Sequence, residues 1–172
     1  MNLVERFDER VDGLFETIRG NREADFLAYK ATALAENSKL WMALCIITWL
    51  RGPSYRFVAK RAFVAIFVES AIVNLGIKTI FRRKRPDHSG PHPHDLREPW
   101  TSSFPSGHAT SAFCAATLLS DGDPALAPLY YLVATVVASS RVHVKMHHAS
   151  DVIAGIAIGI GLGQLGRRLF PR

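Results

Sequence analysis

The distribution of apolar segments constrains the fold of this chain more than any other feature of its sequence. Five such segments lie at roughly residues 38–50, 62–80, 107–119, 125–139 and 152–165, and we interpret each as a helix. None is an uninterrupted apolar run of about 20 residues, the length that a simple transmembrane helix needs. Taken alone, the segments therefore fit either the buried helices of a soluble bundle or the spans of a membrane protein.

Several details favour the membrane. Trp41 and Trp49 lie near the ends of the first segment, and arginines follow shortly after the first and last segments, as is common at the edges of a bilayer. The last segment carries Gly155, Gly159 and Gly163, a small-residue face that lets helices approach closely in lipid. We therefore predict an all-α, polytopic membrane helix bundle of about five transmembrane helices within residues 38–172.

The region before this bundle, residues 1–37, has a different character. It holds more Asp and Glu than Lys and Arg, and apolar residues recur in it at helical spacing: Leu3, Phe7, Val11, Leu14, Phe15 and Ile18. This pattern predicts an N-terminal acidic amphipathic helix that ends near residue 20 and is followed by a linker. Helices that lie on membranes usually carry Lys and Arg on their polar face, so we favour packing on the body of the protein.

The chain is basic overall, with a formal net charge of +6 that arises entirely after residue 37. A basic excess suits nucleic acid, a membrane surface or an anionic substrate. The cations do not form a stripe with interleaved aromatic residues, and no nucleic-acid-binding motif is present, so we predict no nucleic-acid partner. An anionic substrate and a lipid bilayer remain as the predicted partners.

The first of three polar clusters pairs two cations at a helix end. Lys78 closes the second apolar segment, and Arg85 follows in the loop, where Pro86 stops further helix. Two such cations can bind one anion, although basic residues also flank membrane spans without any further role. We apply the flanking interpretation to the run from Arg82 to Lys84.

The second cluster, Pro105-Ser106-Gly107-His108, marks the change from a loop to a helix. Backbone N–H groups at a helix start are unpaired and attract anions, and a glycine lets a phosphate approach them. We predict that Ser106 and Gly107 bind phosphate and that His108 donates a proton to a leaving oxygen. A plain helix start is the alternative, and the tetrapeptide alone favours it.

The third cluster comprises Ser140, Arg141, His147 and Asp151. His147 and Asp151 are four residues apart and share one face if a helix begins near His147. The carboxylate can then hold one imidazole nitrogen and leave the other free to attack phosphorus. Arg141 can clamp phosphate oxygens with its planar guanidinium. A capped helix start beside an interfacial histidine is the alternative.

Together the three clusters supply fixed cations, backbone donors, two histidines and a carboxylate. Phosphoryl transfer through a histidine requires these groups, because its transition state spreads negative charge over oxygens that must be held and neutralised. Each cluster alone has a good structural explanation, and only their joint order and spacing favours the chemical one. Placed on the predicted helices, all three emerge on one face of the bundle.

The three clusters resemble, in order and internal spacing, the motifs of the type-2 phosphatidic-acid phosphatase superfamily, which also includes bacterial acid phosphatases and vanadium haloperoxidases. The resemblance covers about half of the chain. It implies an all-α fold with the active site at one end of a helix bundle, metal-independent hydrolysis and a covalent phosphohistidine intermediate. Membrane members commonly have six spans, whereas here a polar helix stands where a first span is expected.

The resemblance also implies a role for each residue of the motifs. It makes His147 the nucleophile, His108 the general acid and Asp151 the partner that orients His147. The residues that it implies for phosphate binding are Lys78, Arg85, Ser106, Gly107 and Arg141.

A few polar residues lie outside the motifs. His88, His92 and His94 occupy a Pro-rich loop whose spacing is only loosely that of a metal site, so we predict a solvated loop, no metal and no cofactor. Glu69 and Asn74 lie within the second segment, where buried polar groups need partners. For these two we favour packing between helices over catalysis.

We therefore predict an integral-membrane lipid phosphatase that hydrolyses a phosphomonoester or pyrophosphate of a lipid. A polyprenyl-linked phosphate is favoured, because small bacterial members of the superfamily resemble the polyprenyl-lipid enzymes of cell-wall assembly. The alternatives are a glycerolipid phosphatase, acting on phosphatidylglycerophosphate or phosphatidic acid, and a soluble-substrate acid phosphatase built on the same site. The oligomeric state stays open.

The loops also predict an orientation in the cell (inner) membrane. The face opposite the clusters receives many basic residues: Arg51, Arg56, Lys60, Arg61, Arg167, Arg168 and Arg172. Because cytoplasmic loops carry an excess of Lys and Arg, this face is predicted to be cytoplasmic and the active site to lie on the outer face. The basic run that ends at Arg85 is an exception to this tendency.

Overall fold

The fold was examined in a computed structural model, which describes residues 1–87 and 101–172. Its helices are α1 (Leu3–Glu16), α2 (Arg22–Leu34), α3 (Lys39–Leu50), α4 (Pro53–Ala71), α5 (Lys78–Ile80), α6 (Gly107–Gly122), α7 (Ala127–His143) and α8 (Ala149–Leu169). A π-helical stretch, Ile72–Ile77, joins α4 to α5, and 3-10 turns precede α3 and α7. The described residues contain no strand, so the predicted all-α class is confirmed.

Three helical stretches in the described part of the chain are long and apolar enough to cross a membrane: Pro53–Ile80, Pro124–His143 and Ala149–Leu169. They coincide with three of the predicted spans. The other two predicted spans correspond to α3, with 12 residues, and α6, with 16. These helices are about 18 and 24 Å long, shorter than the hydrocarbon core of about 30 Å. The membrane bundle is confirmed, but the number of five spans is not.

The central helix of the bundle is α6. Every residue from Ala109 to Leu119 is buried, and the helix contacts α4, α7 and α8. Thr110 donates to the carbonyl of Ser106 and Thr117 to that of Phe113, so these two buried hydroxyl groups are satisfied within the helix. Contacts with three helices fix the position of α6 in the bundle. The second cluster lies at the N-terminal end of this helix.

The glycine face of α8 allows this close packing. A Cβ atom added to Gly155 would lie 2.6 Å from the carbonyl oxygen of Ser106, and one added to Gly163 would lie 2.7 Å from Cβ of Thr117. A Cβ added to Gly159 would collide with the carbonyl oxygen of Thr110. The predicted small-residue interface is therefore confirmed, and its partner is α6.

Replacing Gly159 by alanine is expected to destabilise the protein. The atoms in the way belong to the backbone of α6, so the helix itself must shift, and overpacking of this kind costs about 1–3 kcal/mol. The midpoint of thermal unfolding in detergent should fall by about 2–4 °C per kcal/mol. Gly161→Ala is the matched control, because a Cβ added there has no atom within 4 Å. Equal midpoints of thermal unfolding for the two variants would contradict the close approach of α8 to α6 at Gly159.

The N-terminal region packs differently from the prediction. Helix α1 begins with a capping box between Asn2 and Glu5 and contacts α7 and α8. Within α1 only Asp8 is buried, whereas the apolar side chains of Leu3 and Leu14 are 74% and 66% exposed. The predicted packing on the body holds for Val11 and Phe15, which pack against the hydrophobic core, and Asp8 adds a buried carboxylate to the contact. The division of the chain at residue 37 stays a prediction.

The predicted linker contains a second helix, α2. Asn21 caps it by accepting hydrogen bonds from the backbone N–H groups of Glu23 and Ala24. The helix packs along α7, where the hydroxyl groups of Thr32 and Ser140 lie 2.8 Å apart. Ser140 of the third cluster therefore connects the N-terminal region to the end of α7 that carries Arg141.

Candidate active site

The ends of several helices meet around one cavity of about 270 Å³. Six of the eight predicted site residues line it: Lys78, Arg85, Gly107, His108, Arg141 and His147. The remaining two, Ser106 and Asp151, are fully buried directly behind this lining. The three clusters are therefore brought together at one end of the bundle, as the sequence predicts.

His147 lies in the short connection between α7 and α8 and is almost fully buried. Its Nδ1 atom is 2.7 Å from the carbonyl oxygen of Ser103. A carbonyl oxygen only accepts hydrogen bonds, so Nδ1 carries the proton in the neutral ring. Nε2 lies 3.3 Å from Nη1 of Arg85, which only donates, so this nitrogen presents its lone pair. Both contacts therefore select the tautomer in which Nδ1 carries the proton and Nε2 presents a free lone pair to the cavity.

Arg85 is held in place by the backbone around His147. Its Nη1 atom donates to the carbonyl of Met146 at 2.6 Å, and Nη2 donates to the carbonyl of Thr101 at 3.2 Å. These contacts fix the guanidinium beside Nε2 of His147. A phosphoryl group approaching that nitrogen meets a cation that is already positioned, so binding requires little rearrangement.

The predicted direct hydrogen bond between Asp151 and His147 is absent. Oδ2 of Asp151 is 3.9 Å from Nδ1 of His147, beyond hydrogen-bond distance. The reason is local: α8 begins at Ala149, after His147, so the spacing of four residues does not fall on one helical face. Asp151 instead accepts a hydrogen bond of 2.5 Å from Oγ of Ser103. Ser103, whose carbonyl oxygen accepts from Nδ1 of His147, is thus itself bound to the carboxylate of Asp151. The orienting role of Asp151 stays a prediction.

The surroundings of His147 favour its neutral form. Burial is the largest cause that lowers the pKa of this imidazole well below the ordinary value of 6.5, and the nearby cations Arg141, Arg85 and Lys78 lower it further. A neutral ring is required for an attacking nitrogen, since protonation removes the lone pair.

We expect His147 to stay neutral at pH values below 6.5, where a histidine in water becomes protonated. Because its pKa is lowered, proton uptake is shifted to more acidic pH. The measurement is a titration by ¹⁵N NMR of histidine-labelled protein in detergent, with His147→Gln as the variant that identifies the signal. The spectrum should also show the proton on Nδ1, and a proton on Nε2 would contradict the assigned tautomer.

The second cluster forms the start of α6. Ser106 is the N-cap, and its Oγ accepts from the N–H of Ala109 at 3.4 Å. Its own N–H donates to the carbonyl of Asp151 at 3.0 Å, so the prediction that this backbone donor is free for an anion is wrong. Through this bond Ser106 fixes the start of α6 to the first turn of α8 instead. Its contact with phosphate stays a prediction.

Gly107 and His108 face the cavity itself. A Cβ atom on Gly107 would lie 3.8 Å from Nζ of Lys78, so the glycine leaves the space beside this cation open. Nε2 of His108 is buried and has no hydrogen-bond partner among the described residues, and the same holds for Nε of Arg141. Buried polar atoms without partners are costly, and a bound oxyanion offers acceptors to both. The arrangement suits a tetrahedral anion placed between the two histidines.

Three residues that the sequence analysis did not select take part in the site. Ser103 bonds to both His147 and Asp151, and no spacing in the sequence marks it. Arg83 was assigned to the membrane interface, but its Nη1 donates to Oδ1 of Asp151 at 2.6 Å, so that interpretation is wrong. Asp8 is the third. Its sequence signal is a carboxylate between Val4 and Val11, within the apolar stripe of α1.

The other polar residues of the sequence analysis have separate outcomes. His88, His92 and His94 lie outside the described residues. Within residues 1–87 and 101–172, no group of three or more His, Cys, Asp or Glu side chains is arranged to hold a metal ion. Glu69 and Asn74 both line the active-site cavity, so their position is not only a packing contact between helices.

Comparison with known proteins gives consistent results. Residues 58–172 match the PAP2 superfamily. Decaprenylphosphoryl-5-phosphoribose phosphatase of Mycobacterium tuberculosis is 35% identical over 125 residues, which cover 73% of this chain and 68% of that protein. Lipid A 1-phosphatase of Porphyromonas gingivalis is 38% identical over 99 residues, covering 55% and 20%. The crystal structure of a transmembrane PAP2-type phosphatidylglycerolphosphate phosphatase from Bacillus subtilis superposes with a TM-score of 0.77 and 25% identity, covering 98% and 87%.

Proposed function

The chain belongs to the PAP2 superfamily and is a membrane phosphatase, and we propose that it removes phosphate from a polyprenyl-linked phosphate or pyrophosphate through a phosphohistidine intermediate. The observation that carries this proposal is the cavity in which Lys78, Arg85 and Arg141 surround the two histidines. A cavity with three cations beside a neutral, oriented imidazole is suited to a phosphoryl group.

The first step of the proposed reaction forms a bond between phosphorus and His147. The lone pair on Nε2 attacks phosphorus while the bond from phosphorus to the lipid oxygen breaks. His108, which lines the same cavity, takes up a proton together with the bound phosphate anion and gives it to the leaving oxygen. The leaving group departs as an alcohol or, from a pyrophosphate, as a monophosphate. The three cations neutralise the charge that builds up on the equatorial oxygens.

The second step returns the enzyme to its starting state. Water attacks the phosphorus of the phosphohistidine, and His108, now neutral, takes up the proton that the water loses. The bond between Nε2 and phosphorus breaks, and inorganic phosphate leaves. The positive charge on the imidazole during the intermediate is favoured by the nearby carboxylate of Asp151, whose Oδ2 is 3.9 Å from Nδ1.

An apolar groove supports a lipid as the substrate. A cavity of about 470 Å³ between α4, α6 and α8 is lined mainly by apolar side chains, including Val64, Val68, Ile72 and Leu162. Glu69 lines both this groove and the active-site cavity, so the two are neighbours. A hydrocarbon chain lying in the groove places its phosphate at the cations while its tail stays among apolar groups.

Two relatives favour different tails. The mycobacterial protein that is 35% identical to this chain acts, by its name, on a decaprenyl lipid, which supports the polyprenyl proposal. The Bacillus subtilis structure with the TM-score of 0.77 is a phosphatidylglycerolphosphate phosphatase, which makes a glycerolipid phosphate the second candidate. Both substrates present the same phosphoryl group to the cations and differ in the tail.

We place the protein in the inner membrane with its active site on the outer face. Many basic residues collect at the opposite end, among them Arg56, Lys60 and Arg168. The basic residues on the active face that oppose this orientation include Arg83 and Arg85, and both are engaged by the site. Their presence there therefore has a chemical reason and does not argue against the positive-inside tendency.

The test of the proposed substrate is phosphate release in detergent from matched polyprenyl and diacylglycerol phosphates, with p-nitrophenyl phosphate as the soluble ester. We expect the highest kcat/KM for the polyprenyl lipid. A higher value for phosphatidylglycerophosphate or phosphatidic acid would select the second candidate. A preference for the soluble ester would overturn the lipid assignment altogether.

A narrowed groove tests whether the tail lies where we place it. Val68→Trp is expected to displace about two methylene groups of the tail, which costs about 1.6 kcal/mol and raises KM for the polyprenyl lipid about tenfold. Its kcat on p-nitrophenyl phosphate should stay unchanged. Leu132→Trp is the control, because Leu132 is exposed on α7, away from the groove. Equal KM values in both variants would contradict the proposed position of the lipid tail in this groove.

A further inference from the structure

The buried carboxylate of α1 is an unusual contact for an amphipathic helix. Asp8 is only 5% exposed, and it faces the first turn of α8. Its Oδ1 accepts from the backbone N–H of Ser150 at 2.7 Å, and its Oδ2 accepts from Oγ of Ser150 at 2.8 Å. Burial raises the pKa of the Asp8 carboxyl, but the hydrogen bonds from Ser150 and Arg83 together hold it below its ordinary value. Asp8 is therefore an anion at neutral pH.

Arg83 connects this carboxylate to the active site. Nη2 of Arg83 donates to Oδ2 of Asp8 at 2.6 Å, and Nη1 donates to Oδ1 of Asp151 at 2.6 Å. One planar guanidinium thus lies between two carboxylates, each bound by a different nitrogen. Lysine, with a single nitrogen, cannot reproduce this geometry.

The chain of contacts continues to the nucleophile. Oδ1 of Asp151 is bound by Arg83, while Oδ2 accepts from Oγ of Ser103 and from the backbone N–H of His148. The carbonyl of the same Ser103 accepts from Nδ1 of His147. With both oxygens of Asp151 engaged, its carboxylate cannot rotate unless one of these bonds breaks.

On the premise of the proposed phosphatase activity, we propose that Asp8 and Arg83 are positioning residues of the reaction: the N-terminal helix acts through Asp8, Arg83 and Asp151 to hold His147 for attack. Both side chains line a neighbouring cavity that His147 also borders and that Glu5, Glu9 and Asp12 make acidic. Neither lines the cavity that contains the cations and the two histidines, so we assign them no direct contact with the phosphate. This gives the acidic N-terminal helix a role in the chemistry that the three motifs do not contain.

The charges fit this role. Without Asp8, the positive charge of Arg83 is balanced by Asp151 alone, so less of the carboxylate's charge remains to favour a positive imidazole on His147. Four side chains near that ring, Arg141, Arg85, Lys78 and His108, disfavour its positive form. Asp151 is then the main counter-charge for the phosphohistidine, and its position depends on Arg83.

The test is a double-mutant cycle with Asp8→Asn and Asp151→Asn, measured with p-nitrophenyl phosphate so that it is independent of the lipid. Asp8→Asn should lower kcat by up to about 100-fold, the cost of misplacing a reacting group by about 1 Å, and leave KM unchanged. Added to Asp151→Asn, it should have no further effect, because its path to His147 is already interrupted. Losses that multiply in the double variant, or a wild-type kcat in Asp8→Asn, would overturn the proposal.

A neighbouring carboxylate provides the control. Glu9 follows Asp8 on α1 and is exposed, so Glu9→Gln should keep the wild-type kcat. An equal loss in Glu9→Gln would mean that α1 acts only through general stability. Should Asp8→Asn not fold, Arg83→Lys decides the same question, with Arg82→Lys as its control because Arg82 is exposed. A wild-type kcat in Arg83→Lys would overturn the proposal.

A second measurement separates this proposal from the proposed function. If the wild-type protein shows no turnover of any phosphate ester, the proposed function fails, and the same cycle is followed by ¹⁵N NMR of His147. Asp8→Asn should then lower the pKa of His147 in the wild-type background and leave it unchanged beside Asp151→Asn. An unchanged pKa in both backgrounds would overturn the positioning role by itself.

Discussion

Replacing His147 by alanine is expected to abolish turnover. In the proposed mechanism this variant lacks the covalent nucleophile and keeps only the contributions of binding and charge, so we expect kcat to fall by about 10⁵-fold to 10⁶-fold. The phosphoenzyme should vanish together with the activity, because the proposed mechanism gives the bond to phosphorus to His147 and only proton transfer to His108, the other imidazole of this cavity. The measurement combines phosphate release with acid-labile ³²P labelling of protein quenched during turnover.

His148→Ala is the matched control for this variant. Nε2 of His148 lies 3.2 Å from the carbonyl oxygen of Lys84, while its backbone N–H keeps its bond to Asp151 in the alanine variant. We expect most of the activity and all of the labelling to remain. Full activity in His147→Ala would contradict the mechanism.

The same assay tests the role of metal. The proposed steps use only side chains of the chain, so EDTA should change the rate little, and vanadate should inhibit by occupying the phosphoryl site between the cations. Activity that EDTA abolishes and an added divalent cation restores would contradict the mechanism as strongly as an active alanine variant.

The fold shows which parts of a sequence pattern determine structure directly. The apolar segments predict the helices well, because the apolar residues of a helix recur along the sequence whichever elements the helix packs against. The glycine face of α8 likewise predicts a close helix contact, which Gly159 makes with Thr110. Helix α2 was missed, since its few buried residues, such as Tyr29 and Thr32, depend on the position of α7.

The active site shows the limit of the same reasoning. Lys78, Arg85 and His147 reach one cavity because each lies in or beside a connection at the same end of the bundle, and the placement of the motifs on the predicted helices indicates this. The contacts between motifs could not be predicted. Ser103 donates to Asp151 only because a loop far from α8 in sequence passes beside it, and Arg83 reaches the same carboxylate from a third element. Such pairs arise from tertiary structure and leave no periodicity.

Replacing Asp151 by asparagine is expected to lower the rate strongly without preventing folding. The amide keeps the size of the side chain, but it loses the negative charge that favours a positive imidazole and pairs with Arg83. In triads with a direct carboxylate contact this change costs about 10⁴-fold in kcat. Here Asp151 acts on Nδ1 of His147 from 3.9 Å and through Ser103, so we expect a loss between about 10² and 10⁴.

The control for Asp151→Asn is the same change at Asp123. That carboxylate also pairs with an arginine, Arg51, at 2.6 Å, but it lies at the far end of α6, away from the cavity. Asp123→Asn should keep the wild-type kcat, and both variants should give the elution profile of the wild type in detergent. Ser103→Ala distinguishes the two ways in which Asp151 can act. A loss as large as that of Asp151→Asn would show that the carboxylate works through the serine, whereas a small loss would assign its effect to charge alone.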